Sequence, residues 1–447
     1  MINRRQLLGA GGLASLGATL GGLSSSGQAA GEPYRALVVI HLNGGNDGNN
    51  LLIPTDAAYT DYQVARQTLA LAKASLTNLP GSAIGHTFGV HPGLAPLVPL
   101  YSQGRLAFIS NVGPLIQPST ARQVLDGSVD VPPFLLSHSD QTQIVQGWTV
   151  ADDLSGWAGR GLELLPSSLR NSVSAITMDT NRTLVLGKRS AVSFMPPGGA
   201  RWWGTADLAQ PQTLAAQTLG RMAQWQFANA YEAEYARTFG VAYSDQTYFV
   251  KAFQSAVTPT ADFGGDQLGD RLSSVASVLP IFKSDGLKRQ VFLLHWGGFD
   301  THTGQLGSGS NTQDTQFAVL AKALAAFDAT NKANGLDLNV ITLVVSEFGR
   351  TVRPGSGGGS EHAWGSHWMA VGGPVAGGTV VGSFPSLVLG GVDDGDSGKN
   401  GRLVPTTSSD QVGATAMQWL GLPASQVHDV FPHLVNFNNK TLPLLRA

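Results

Sequence analysis

Three apolar runs, Ala36–Leu42, Val291–Trp296 and Val340–Val345, each end a few residues before a carboxylate: Asp47, Asp300 and Glu347. Each run has the length and the β-branched or aliphatic content of a buried strand. In an open α/β sheet the ligand crevice lies beyond the carboxyl ends of the strands, so acids placed there face a shared space. Leu106–Val112, Thr183–Leu186 and Trp368–Val371 are further strand candidates. Tyr59–Lys73, Pro92–Tyr101, Gln313–Asn334 and Ser409–Leu420 read as helices. Strands alternating with helices over this length predict a doubly wound, mostly parallel α/β sheet with helices on both faces and Ala36–Leu42 at its centre. Gln210–Ala256 departs from the alternation: it is rich in Ala, Gln and aromatic residues at helical spacing and reads as a helical insertion.

The N-terminus has the pattern of a targeting segment. Arg4 and Arg5 precede a weakly apolar Gly/Ala/Leu stretch, and Ser24–Ala30 supplies small residues for cleavage after Ala29 or Ala30. The expected organisation is a twin-arginine signal over 1–30 and one α/β domain over 31–447, with the helical insertion at about 210–256. The stretch is too short and too rich in glycine for a stable membrane span. The translocase of that pathway is an expected partner during export, and the periplasm or the exterior the expected location. The chain has no cysteine, which excludes disulfides, thiolate metal sites and a cysteine nucleophile together. With 28 basic and 30 acidic residues, composition gives no electrostatic reason to expect nucleic acid or an anionic membrane as partner.

Only 13% of residues are charged and only ten are histidine, yet Asp300, His302, Glu347, His362 and His367 cluster in the last third. Oxygen and imidazole donors without thiolate suit a divalent ion such as zinc, manganese or calcium. With Asp47 they form the candidate metal set, expected to converge on one polar cleft. The plainer reading of each residue remains open: a strand-end Asp caps the next helix, and a His beside Gly and Trp donates to a backbone carbonyl. Arg350 and Arg353 follow Glu347 and have the geometry to clamp an oxyanion, although a salt bridge is the commoner fate of such residues. Gly355–Gly359 and Gly304–Ser310 flank the candidate residues and are flexible by composition.

His41–Asn50 (His-Leu-Asn-Gly-Gly-Asn-Asp-Gly-Asn-Asn), Asp300–Gln305 (Asp-Thr-His-Thr-Gly-Gln), Ser346–Thr351 (Ser-Glu-Phe-Gly-Arg-Thr) and Glu361–His367 (Glu-His-Ala-Trp-Gly-Ser-His) occur in an order that resembles one exported bacterial family, domain of unknown function 1501. That family is distantly similar to the alkaline phosphatase and sulfatase superfamily. The resemblance implies two metal sites over a doubly wound sheet and a hydrolase of phosphate or sulfate esters, acting on a small-molecule or glycan ester. It places the superfamily's first-strand ligand on Asp47 and an Asp-His pair on Asp300 and His302, with shortened spacing. A second Asp-His pair falls on Glu347 and Phe348, and the last His on His367 or His362. The nucleophile position falls on Phe134, leaving Ser137, beside His138, as the nearest hydroxyl. Ser137, His138 and Arg350 are accordingly the catalytic candidates, with a metal-activated water as the alternative to a side-chain nucleophile. Phe134 and Phe348 depart from the pattern and favour the rival reading, a catalytically degenerate binding or assembly protein of the cell envelope.

Overall fold

Arg35–Leu42 (β1) is buried along almost its whole length, as a central parallel strand covered on both faces must be. In the computed structural model, which describes residues 31–147, 153–199 and 201–446, it joins eight further strands in one sheet. These are Leu106–Gly113 (β2), Ala175–Thr177 (β3), Ser193–Phe194 (β4), Arg289–Trp296 (β5), Val340–Ser346 (β6), Ser366–Val371 (β7), Thr379–Val381 (β8) and Thr407–Ser408 (β9). Their order is β8-β2-β7-β6-β1-β5-β3-β4, with β9 pairing onto β2. Only β7 runs against its neighbours, pairing antiparallel with β6 and β2. The architecture is the doubly wound, mostly parallel α/β sheet that the alternation predicts, and Pro33–Ala447 forms one compact unit.

The two faces of β1 feed two separate cores. Ala36, Val38 and Ile40 pack with the helices Gln267–Ser284 and Gln313–Ala333. Leu37 and Val39 pack with Trp157–Leu164 and Ser409–Leu420 on the other side. Burying one such side chain contributes about 1.5–3 kcal/mol, so a strand apolar at every position requires cover on both faces. Gln313–Ala333 starts where the Thr312 hydroxyl accepts from the Thr315 N–H. It buries Phe317, Leu320, Leu324 and Phe327, the i, i+3, i+7 and i+10 positions of one stripe.

Three sequence expectations need correction. Thr183–Leu186 is not a strand but a 3₁₀ turn over Thr183–Val185; Leu184 and Val185 are buried, and burial is all that the apolar run reported. Its place in the sheet is taken by Ala175–Thr177, which pairs with Val291–Leu293. The helix from Tyr59 stops at Arg66, because Gln67 turns into positive φ. Pro92–Tyr101 opens as a 3₁₀ segment over Pro92–Leu97 and becomes α-helical only at Val98–Ser102, since Pro96 and Pro99 remove N–H donors. The segment 210–256 contains the two helices Leu214–Met222 and Ala230–Gln254. The twin-arginine segment and its cleavage region lie outside the described residues. Among the described residues no helix is long and apolar enough to cross a membrane.

Candidate metal centre

Leu42 is in register with Trp296 on one side and Ser346 on the other, so β1, β5 and β6 end level. The segments that follow, Asn43–Gly45, Gly297–Asp300 and Glu347, therefore meet at one edge of the sheet. Gly44 makes the meeting close: its φ is +119°, and a Cβ there would lie 2.2 Å from the Asp300 nitrogen. The Gly44 N–H donates to Glu347 Oε1 at 2.6 Å.

A hairpin brings in the next donors. Arg350–Pro354 pairs antiparallel with Ser360–His362, setting Arg350 opposite His362. Its glycine turn is docked rather than free, because Gly304 and Gln305 donate their N–H groups to the carbonyls of Gly357 and Gly358. The last donor comes from far away in the sequence. His138 is the first residue of the helix His138–Gln146, entered through Phe134 and Leu136, both at positive φ.

Three imidazoles and one carboxylate converge here. His302 Nε2 lies 3.1 Å from Asp300 Oδ1, His362 Nε2 3.2 Å from the same oxygen, and His138 Nε2 3.5 Å from Asp300 Oδ2. His302 Nε2 and His362 Nε2 are 3.1 Å apart. In each ring Nδ1 faces an outer acceptor: His138 that of Glu347 Oε1 at 2.9 Å, His362 the Leu136 carbonyl at 2.8 Å, and His302 Glu361 Oε2 at 2.7 Å. An Nδ1–H donated outward leaves Nε2 as a lone-pair donor pointing inward, the tautomer that metal ligation uses. His138 Nε2 is buried and has no hydrogen-bond partner among the described residues. Ligand atoms of His138, Asp300 and His362 all lie within 4.8 Å of one another, so the residues present fit a divalent ion.

The electrostatics agree with that fit. Burial alone would raise Asp300, but the Arg350 hydrogen bond and charge, with His362 and His138, hold it down at about 2. Glu347 is almost fully buried; the same opposition of burial against His138, His41 and the Gly44 N–H leaves its pKa below the ordinary value. The Glu347 hydrogen bond raises His138 against burial, which makes the imidazole more basic. Burial lowers the pKa of His362.

The structure thus gathers Asp300, His302, Glu347 and His362 from the sequence-predicted set and adds His138, expected as a catalytic residue. It places Asp47 and His367 elsewhere. The buried Asp47 carboxylate pairs with Arg66, accepts from Gln305 at 2.6 Å and caps Asn49 at 3.0 Å. His367 accepts the Asn111 N–H through Nδ1 at 3.0 Å and stacks on Phe384, and burial pushes its pKa down to about 4. Phe348 packs its ring 4.8 Å from His138 and 4.7 Å from His362, lining the imidazoles where the resemblance expected a further His. Arg350 is buried, and its N–H groups go to the carbonyls of Gly44, Gly45 and Ser360 and to Asp300; it braces the centre rather than reaching into the cleft. Ser137 bonds its hydroxyl to Asp140. The sequence reading passed over Glu361, whose only signal was its position beside His362.

Next to the centre lies a cleft of about 860 Å³, lined by Asn43, Gly44, His138, His295, Asp300 and Glu347 among others. Fold and site together define a class, a doubly wound α/β protein with an imidazole–carboxylate centre at the carboxyl edge of its sheet. The chain belongs to the family described as protein of unknown function (DUF1501), whose model matches residues 34–397. No curated protein matches the sequence. Solved structures that overlap it include the phosphonate monoester hydrolase SpPMH from Silicibacter pomeroyi, at 9% identity and a TM-score of 0.34, covering 88% of this chain and 74% of that one. PsFucS1 sulfatase from Pseudoalteromonas sp. overlaps at 10% identity and a TM-score of 0.30, covering 86% and 72%. The C-terminal periplasmic domain of EcEptC from Escherichia coli, in complex with Zn, overlaps at 12% identity and a TM-score of 0.25, covering 77% and 74%.

Proposed function

We propose that this protein is an exported, metal-dependent hydrolase of phosphate or sulfate esters. The observation that carries the reading is the shared orientation of three imidazoles, each anchored outward through Nδ1 with Nε2 turned toward Asp300. His138, Asp300 and His362 would hold a divalent ion, with His302 alongside. When bound, such an ion would supply Lewis-acid polarisation of the ester's oxygens. Glu347 fixes the ring and tautomer of His138, Glu361 those of His302, and the Leu136 carbonyl those of His362. Arg350 holds the Asp300 carboxylate ionised and in place. The adjoining cleft seats the ester, and its class is the one that the sequence resemblance implies.

A second reading, a binding or assembly protein that keeps the ion without turnover, has two observations in its favour. Phe348 fills the place of a ligating His, and the Ser137 hydroxyl is bound to Asp140. Elemental analysis of protein recovered from the periplasmic fraction, with a panel of phosphate and sulfate esters, separates the two. We expect about one equivalent of a divalent metal and hydrolysis that a chelator abolishes. Metal without hydrolysis of any ester leaves the binding reading, absence of metal overturns both, and recovery only from the cytoplasm overturns export.

A further inference from the structure

Asn43, the first residue after β1, sits between two histidines and the cleft. His41 and His295 are register partners on β1 and β5, with rings 5.0 Å apart. Their Nδ1 atoms lie 2.8 Å and 2.9 Å from Asn43 Oδ1. A ring nitrogen pairs with a carboxamide oxygen only if it carries the proton. The neighbouring network fixes that protonation. The Leu184 N–H donates to Gln146 Oε1 at 3.1 Å, which leaves Gln146 Nε2 as the donor facing His295 Nε2 at 3.5 Å. His295 therefore accepts at Nε2 and donates from Nδ1, and Asn43 must present its oxygen to the ring. The opposite end of the carboxamide, Nδ2, has no hydrogen bond to an acceptor among the described residues, and Asn43 lines the cleft beside Gly44, His138, Asp300 and Glu347.

The surroundings give that amide a purpose. Asp300 and Glu347 make this part of the cleft acidic, Arg182 lines the same cleft, and the Arg350 guanidinium beside Asp300 is occupied by carbonyls and Asp300. An anionic group entering here needs donors that are not already engaged. Two imidazole N–H bonds hold the carboxamide so that Nδ2 cannot turn away without breaking both, the fixed-dipole arrangement that stabilises charge without reorganisation.

We infer that Asn43 is an oxyanion-binding residue, its Nδ2 donating to a non-bridging oxygen of the phosphate or sulfate group in the cleft. The inference rests on the hydrolase reading above. Its test uses the full chain loaded with zinc, ¹⁵N-labelled at asparagine, and inorganic phosphate as the probe. The Asn43 side-chain amide signal, identified by its loss in Asn43→Asp, is expected to shift as phosphate is added. Asn43→Ala removes the donor without adding charge and is expected to weaken the phosphate Kd about tenfold at unchanged zinc content. A role confined to aligning His41 and His295 would leave the amide signal unmoved by phosphate. If zinc and phosphate bind while that signal stays still, or if zinc-loaded protein binds no phosphate, the inference is overturned and the metal centre stands. If the protein takes up neither zinc nor manganese nor calcium, the hydrolase reading falls and this inference with it; if it takes up manganese or calcium in place of zinc, the same titration is read on that form. Should Asn43→Ala fail to fold, the amide signal of the wild-type chain decides alone.

Discussion

Each imidazole of the centre is fixed by a different kind of acceptor, and the kinds differ in strength. Glu347 offers His138 a buried carboxylate, Glu361 offers His302 a more exposed one, and Leu136 offers His362 a neutral carbonyl. A charged acceptor raises imidazole basicity more than a neutral one, so Glu347 has the greatest leverage on affinity. We predict that Glu347→Gln, which still accepts from Nδ1 but lacks the charge, lowers metal affinity about 10- to 100-fold. Competition with a chromophoric chelator reads this directly, and an unchanged affinity would show that Glu347 has no part in holding His138. Asp300, His302 and His362 were legible as candidate ligands because acids after apolar runs and clustered histidines are rare in a chain with few charges. The placement of Asp47 beside Arg66 was not legible. The two are separated in sequence, and the ion pair depends on Arg66 ending its helix beneath the hairpin, where its guanidinium also meets the carbonyls of Thr351 and Val352.

Among the elements, the hairpin Arg350–His362 has the most influence on the site without facing the cleft broadly. It presents Arg350 and His362 from opposite strands, and its turn lies on the segment that carries Asp300 and His302. Gly359 is where the two approach most closely: a Cβ there would stand 2.1 Å from the Thr301 carbonyl oxygen. Gly359→Ala must therefore push the turn off that segment. The predicted result is metal content reduced by half or more in a folded protein, although residue 359 donates to nothing in the centre. Elemental analysis beside circular dichroism checks it, and full metal occupancy with a native spectrum would show that the docking does not matter. Composition marked Gly355–Gly359 as flexible, and the backbone pairing with Gly304 and Gln305 is what restrains it. Glycine allows that close approach as readily as it allows mobility.

For the whole molecule, the sheet carries the load and the centre lies at its edge, between segments that are joined only through folding. An ion held by residues 138, 300 and 362 ties three such segments together and binds the native state alone. We predict that saturating zinc raises the melting temperature by several degrees, and that a chelator reverses this; ligand at 100 times its Kd stabilises by about 2.7 kcal/mol. Differential scanning calorimetry with and without chelator is the measurement, and coincident transitions would mean that no ion binds the folded chain preferentially. The sequence by itself determined the class of sheet, its central strand and the three carboxyl ends that meet, because apolar periodicity and strand-end acids are local signals of burial. Only the tertiary structure decided which donors share a point. It recruited His138 across the fold, engaged Asp47 with Arg66 and buried Arg350 under carbonyls. Ligand convergence depends on ångström-scale register between distant segments, and packing sets that register where no local pattern records it.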